Sequence, residues 1–114
     1  MTGPLLTVDV AHPPRPPESV EDELLELWHQ ARNKTEIRVV KIIHGHGSTG
    51  RGGSTRDITR NWLFNNRSRF RAIIEGERYA VTDPATLELR REVGQYPDAD
   101  LGRENRGITL VWIR

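Results

Sequence analysis

At 114 residues without a cysteine, the chain has room for one hydrophobic core and excludes disulfide scaffolding and thiolate chemistry. Its 35% hydrophobic and 29% charged residues describe a folded, polar-surfaced protein. No apolar run reaches the roughly 18 residues of a membrane span, and residues 1–14 lack the basic-then-apolar build of a secretory signal, so a cytoplasmic location without a membrane partner is expected. The net charge of +1 hides a segregation: residues 1–36 carry net −4, residues 37–78 net +6 and residues 79–114 net −1.

Residues 5–10 read as a short strand. Residues 11–18, AHPPRPPE, hold four prolines in eight positions, and proline's missing amide donor excludes helix and central strand, leaving a linker. Ser19 is the expected N-cap of a helix to about Arg32, with Asp22 as an approximate capping box. Val20, Leu24, Leu27/Trp28 and Ala31 form its buried stripe, while Glu21, Asp22, Glu23 and Glu26 fill the wet side.

Residues 37–43 are β-branched and apolar on both parities after Arg38, as in a central strand. A second helix starts at Ser54 or Thr55 and ends at Asn65-Asn66, with Ile58, Trp62 and Leu63 inward. The stretch 67–74, RSRFRAII, alternates, so Phe70, Ala72 and Ile74 should face one way and an Arg67, Arg69, Arg71 ladder the other. Asp83-Pro84 opens a short helix that Gly94 stops, and residues 108–113 form the last strand. Trp28, Trp62 and Trp112 fall at core-like positions.

The order β-α-β-α-β-(short α)-β predicts an α/β fold: a two-layer α/β sandwich with a four-stranded, mainly parallel or mixed sheet, two main helices, and a partly open second face. Residues 1–114 are read as one domain in which 76–106 form an extended connection.

The chemistry concentrates in residues 39–57, VVKIIHGHGSTGRGGSTRD. A strand, a glycine-rich turn and a helix start make an anion site, because glycine admits close backbone approach and the first helical amides are unsatisfied. Gly45-x-Gly47-x-x-Gly50 spells a dinucleotide fingerprint, with Glu75 as its ribose acid, but Arg51-Gly52-Gly53 intervenes before the helix. A nucleoside-triphosphate loop would need a lysine and a following Ser/Thr, and Arg51-Gly52 stand there instead.

His44 and His46 are candidates for phosphate contact or proton transfer; the alternative is that His44 tethers the loop and His46 is solvated. His-x-His alone lacks the further ligands of a metal site. Asp9 either orients a histidine or accepts a proton, or pairs with an arginine. Arg51, Arg56 and Arg60 suit phosphate oxygens, together with the amides of Gly45, Gly47, Gly50, Gly52 and Gly53. For Arg67, Arg69 and Arg71 a plain wet strand face is an equal alternative.

The run Ile42-Ile43-His44-Gly45-His46-Gly47, then Gly50-Arg51-Gly52-Gly53, Arg56-Asp57 and Trp62-Leu63, resembles the core of the small MutS-related (Smr) domain with its I-H-G-x-G motif. Val8-Asp9-Val10, the acidic helix and the strand 107–113 fall where that family has strand, helix and strand, so the resemblance covers about residues 5–75 and 107–113. It implies a sandwich similar to the C-terminal domain of a translation initiation factor. It also implies binding of structured or branched DNA or RNA through the phosphate backbone, endonuclease activity, and work in DNA repair or near ribosomes. Catalysis would then fall to Asp9, His44 and His46, with Arg51 and Arg56 neutralising developing charge. A metal-free route is expected, with a divalent ion such as magnesium an open alternative, and a non-catalytic nucleic-acid or ribosome-associated binding module is the rival reading. The first motif departs from the family's L-D-L-H-G: Ala11 takes the histidine position and His12 comes one residue late, on the opposite side if the strand continues.

Overall fold

The computed structural model describes residues 3–46 and 54–114. The elements are β1 (Leu5–Asp9), α1 (Pro17–Asn33), β2 (Val39–Ile43), α2 (Thr55–Asn65), β3 (Ala72–Glu75), α3 (Pro84–Val93) and β4 (Ile108–Trp112). Two 3-10 turns, Arg67–Arg69 and Gly76–Arg78, bracket β3. The sheet order is β1-β2-β4-β3, with β1 parallel to β2 and β4 antiparallel to both of its neighbours. The protein is therefore an α/β sandwich on a four-stranded mixed sheet. None of the helices among the described residues is long and apolar enough to cross a membrane.

Both sheet faces are covered, which explains why β2 and β4 are apolar on both parities. On one face α1 and α2 bury Val20, Leu24, Leu27, Ala31 and Leu63 against Val40, Ile42 and Val111. Each fully buried Val, Leu or Ile side chain among them contributes about 1.5–3 kcal/mol. On the other face α3 and the long connection set Leu89 and Tyr79 against Val39, Ile74, Ile108, Leu110 and Trp112. The second face, expected to be partly open, thus carries its own apolar cluster.

Local rules place most helix ends. The Ser54 hydroxyl accepts from the amide of Asp57 at 3.1 Å, Asp83 caps the amide of Thr86 at 3.0 Å, and Gly94 ends α3 at φ +117. α1 differs: it begins at Pro17, with Pro16 as an extended N-cap and no side-chain cap. Proline's fixed φ suits the first turn, where its missing N–H costs nothing, so the helix enters the proline run and Ser19 lies inside the first turn.

The expected arginine ladder does not form. Residues 67–69 coil into a 3-10 turn, so the strand starts only at Ala72 and the alternation is broken before it. Phe70 joins the α1/α2 side, edge-on to Trp28 at 5.3 Å, whereas Ile74 and Ala72 join the α3 side. Arg67 instead stacks over Phe64 and Arg71 over Trp112, at 4.1 and 4.0 Å.

Candidate functional site at the carboxyl ends of the parallel strands

β1, β2 and β3 all point toward the edge of the sheet from which β4 departs, so the segments after Asp9 and Ile43 and before Ile108 converge there. Backbone bonds lock the convergence. Val10 donates to Ile43 O at 2.9 Å, and the amides of His44 and Gly45 donate to Gly107 O at 2.9 and 3.1 Å. Gly45 has φ +81, which its missing Cβ permits, and it lies beside Ala11.

β1 ends at Asp9, so the strand continuation that would carry His12 to the opposite side does not occur. The Asp9 carboxylate accepts from the amides of Ala11 and His12 at 2.8 and 3.0 Å, folding the chain into a turn, and His12 Nδ1 lies 3.0 Å from Oδ2. Nδ1–H therefore donates to Asp9, which leaves Nε2 as the ring nitrogen without a protein partner among the described residues. Partial burial works to raise the Asp9 carboxyl, but the His12 ring and the two amides outweigh it and hold it below its ordinary value. An Asp-His pair exists, built with His12 in place of the residue at position 11.

His12 lines a cleft of about 320 Å³ together with Gly45, His46, Asp100, Asn105 and Gly107. The exposed His46 ring lies over Gly107, where an added Cβ would meet it at 3.2 Å. His44 is different. Only 2% exposed, it donates from Nδ1 to Gly45 O and accepts at Nε2 from the Thr109 hydroxyl, each at 2.8 Å. Burial, reinforced by the charges of Arg60 and Arg56, pushes it down to about 4, so the ring is neutral near pH 7 and tethers the loop.

Arg60 donates to Thr109 Oγ1 at 3.0 Å and to Glu77 at 2.6 and 3.1 Å, and Arg56 also reaches Glu77 at 3.1 Å. The bond from Arg60 pulls Glu77 down to about 2. Two of the three arginines expected at phosphate, Arg56 and Arg60, thus hold the turn after β3 against α2 and β4. Gly76 in that turn approaches so closely that a Cβ would stand 1.9 Å from Asn105 O. Gly47, Gly50, Arg51, Gly52 and Gly53, the remaining predicted anion ligands, lie outside the described residues.

The far wall rests on a network that sequence reasoning missed. Lys41, on the α3 side of β2, reaches Asp98 and Asp100 at 2.5 and 2.6 Å. Tyr79 donates to Asp98 at 2.8 Å and Asn105 donates to Asp100 at 3.0 Å. The only sequence signal was a lysine inside an apolar strand. No group of three or more His, Asp or Glu among the described residues is arranged to hold a metal ion. No protein-family model, curated protein or solved structure matches the chain.

Proposed function

We propose that the protein binds structured DNA or RNA through its phosphate backbone and cuts a phosphodiester in the cleft between His12 and His46. The observation that carries this reading is the Asp9-paired His12 sharing one cleft with His46. Two imidazoles across a cleft suit in-line phosphoryl transfer, in which one takes a proton from the attacking oxygen and the other gives one to the leaving oxygen. Asp9 orients His12 with Nε2 outward, His44 positions the loop, and the Gly45 turn leads into the glycine-rich stretch. The I-H-G-x-G resemblance and the net +6 of residues 37–78 agree with a polyanion as substrate. Arg51 is the phosphate ligand in this reading, since Arg56 and Arg60 are engaged by Glu77.

Ala11, standing where the family's first motif has histidine, favours the second reading, a non-catalytic nucleic-acid or ribosome-associated module. One assay separates the two: cleavage of supercoiled plasmid and of structured RNA, with and without chelator, by wild type and by His12→Ala and His46→Ala. Loss of cleavage in both variants with binding retained supports the nuclease. Salt-sensitive binding without cleavage selects the module, and absence of binding to any polynucleotide overturns both.

A further inference from the structure

Phe64, in the last turn of α2, is 60% exposed, a large apolar side chain presented to water. Arg67 covers one side of it, with its guanidinium 4.1 Å over the ring and Nη1 donating to Phe64 O at 2.8 Å. The stack stands beside an open groove of about 280 Å³ lined by Arg60, Phe64, Ile73, Glu75 and Arg78. The groove runs by β3, an edge strand that pairs on one side alone. Its charges are unequal. Arg60 is held by Glu77 and lies 3.7 Å from Glu75, so both acids near the groove are compensated, while Arg67 and Arg78 form no ion pair among the described residues.

We infer that this groove holds a single-stranded segment of nucleic acid next to the structured part: an unpaired base stacks on the Phe64–Arg67 platform, and neighbouring phosphates meet Arg67 and Arg78. The inference rests on the nucleic-acid reading above and adds a second subsite to it. An aromatic face gives stacking without sequence preference, and two uncompensated guanidinium groups match a strand with one phosphate per base. A neutral peptide added to the β3 edge would satisfy its amides but leave both arginines unmatched.

The test compares a blunt hairpin with the same hairpin carrying a six-nucleotide tail that contains 2-aminopurine, using anisotropy for affinity and 2-aminopurine fluorescence for stacking. For wild type the tail tightens binding by about 5- to 150-fold, the range of one stacked base, and its fluorescence is quenched. Phe64→Leu loses both effects and Phe64→Trp keeps them, while Arg67→Gln/Arg78→Gln lowers the salt slope by about 1.4 for two single-strand phosphates. A tail that adds no affinity to a hairpin that still binds overturns the subsite and leaves the nucleic-acid reading standing. If hexaglutamate displaces the tail as well as an unlabelled strand does, the groove is a general acidic-chain site and the inference falls. If neither hairpin binds, the nucleic-acid reading fails first and takes the subsite with it.

Discussion

The hydroxyl of Thr109 stands 2.8 Å from Nε2 of His44 and 3.0 Å from Nε of Arg60, joining β4 to the loop after β2 and to α2 through one oxygen. Because the arginine can only donate, Oγ1 accepts from it and gives its own proton to the imidazole. The chain Glu77–Arg60–Thr109–His44–Gly45 O is thereby fixed in direction, and it holds the glycine turn at the cleft.

Thr109→Val keeps the shape of this side chain and removes the relay. The buried His44 Nε2 and the part-buried Arg60 Nε lose a partner, and a loss of about 1–3 kcal/mol is expected. Urea unfolding measures it. A variant within 0.3 kcal/mol of wild type, on the order of experimental scatter, would mean that the hydroxyl contributes nothing.

Stability should depend on pH through His44. Its folded value of about 4 lies below the ordinary 6.5, so as pH falls between these values the unfolded chain binds a proton that the native ring refuses. Stability is therefore lost on going down through that window and levels off beneath it, for a total on the order of 3 kcal/mol. Glu77 acts in the same sense at lower pH, where stability present above 4.5 is lost toward 2. Urea midpoints at pH 7, 6 and 5 should slope for wild type and flatten for His44→Gln. Equal slopes in the two proteins would remove His44 from the account.

Lys41→Met tests the far wall. The lysine side chain is 8% exposed and Asp98 is 2% exposed, so removing the cation leaves an uncompensated buried carboxylate. A loss of about 3–5 kcal/mol follows, and adding Asp98→Asn and Asp100→Asn should restore most of it, because neutral groups no longer need the cation. Chemical denaturation of the single and triple variants decides the matter: a triple variant as unstable as the single one would show that packing, not charge, sets the loss.

Asp9→Asn separates orientation from binding. The asparagine can turn its amide toward Nδ1 and favour the other tautomer, so kcat should fall by about 10²-fold while the affinity for substrate stays unchanged. Single-turnover rates and a binding isotherm on the same RNA or plasmid substrate give both numbers. An equal fall in affinity would make Asp9 a support of the fold rather than of the chemistry.

Local chemistry made much of this protein legible. Ser54 and Asn66 bound α2, Asp83, Pro84 and Gly94 bound α3, and the Val20, Leu24, Leu27, Ala31 stripe is buried as its spacing requires, because caps and periodicity act within a few residues. Gly45 just after β2 was legible for the same reason, as was Asp9 at the end of β1. The arginine ladder failed because the 3-10 turn at 67–69 replaces a run whose alternation also fits a strand.

The partners of the charged residues were decided by tertiary structure. Lys41 meets Asp98, in the connection after α3, across 57 positions, and Arg60 meets Thr109 across 49 because β4 enters the middle of the sheet beside β2. Periodicity constrains which face a residue takes but not which strand becomes its neighbour. His12 shows the difference at short range: pattern could place it across the strand only if β1 continued, and the Asp9 carboxylate, accepting two backbone bonds where β1 ends, turns it into the cleft.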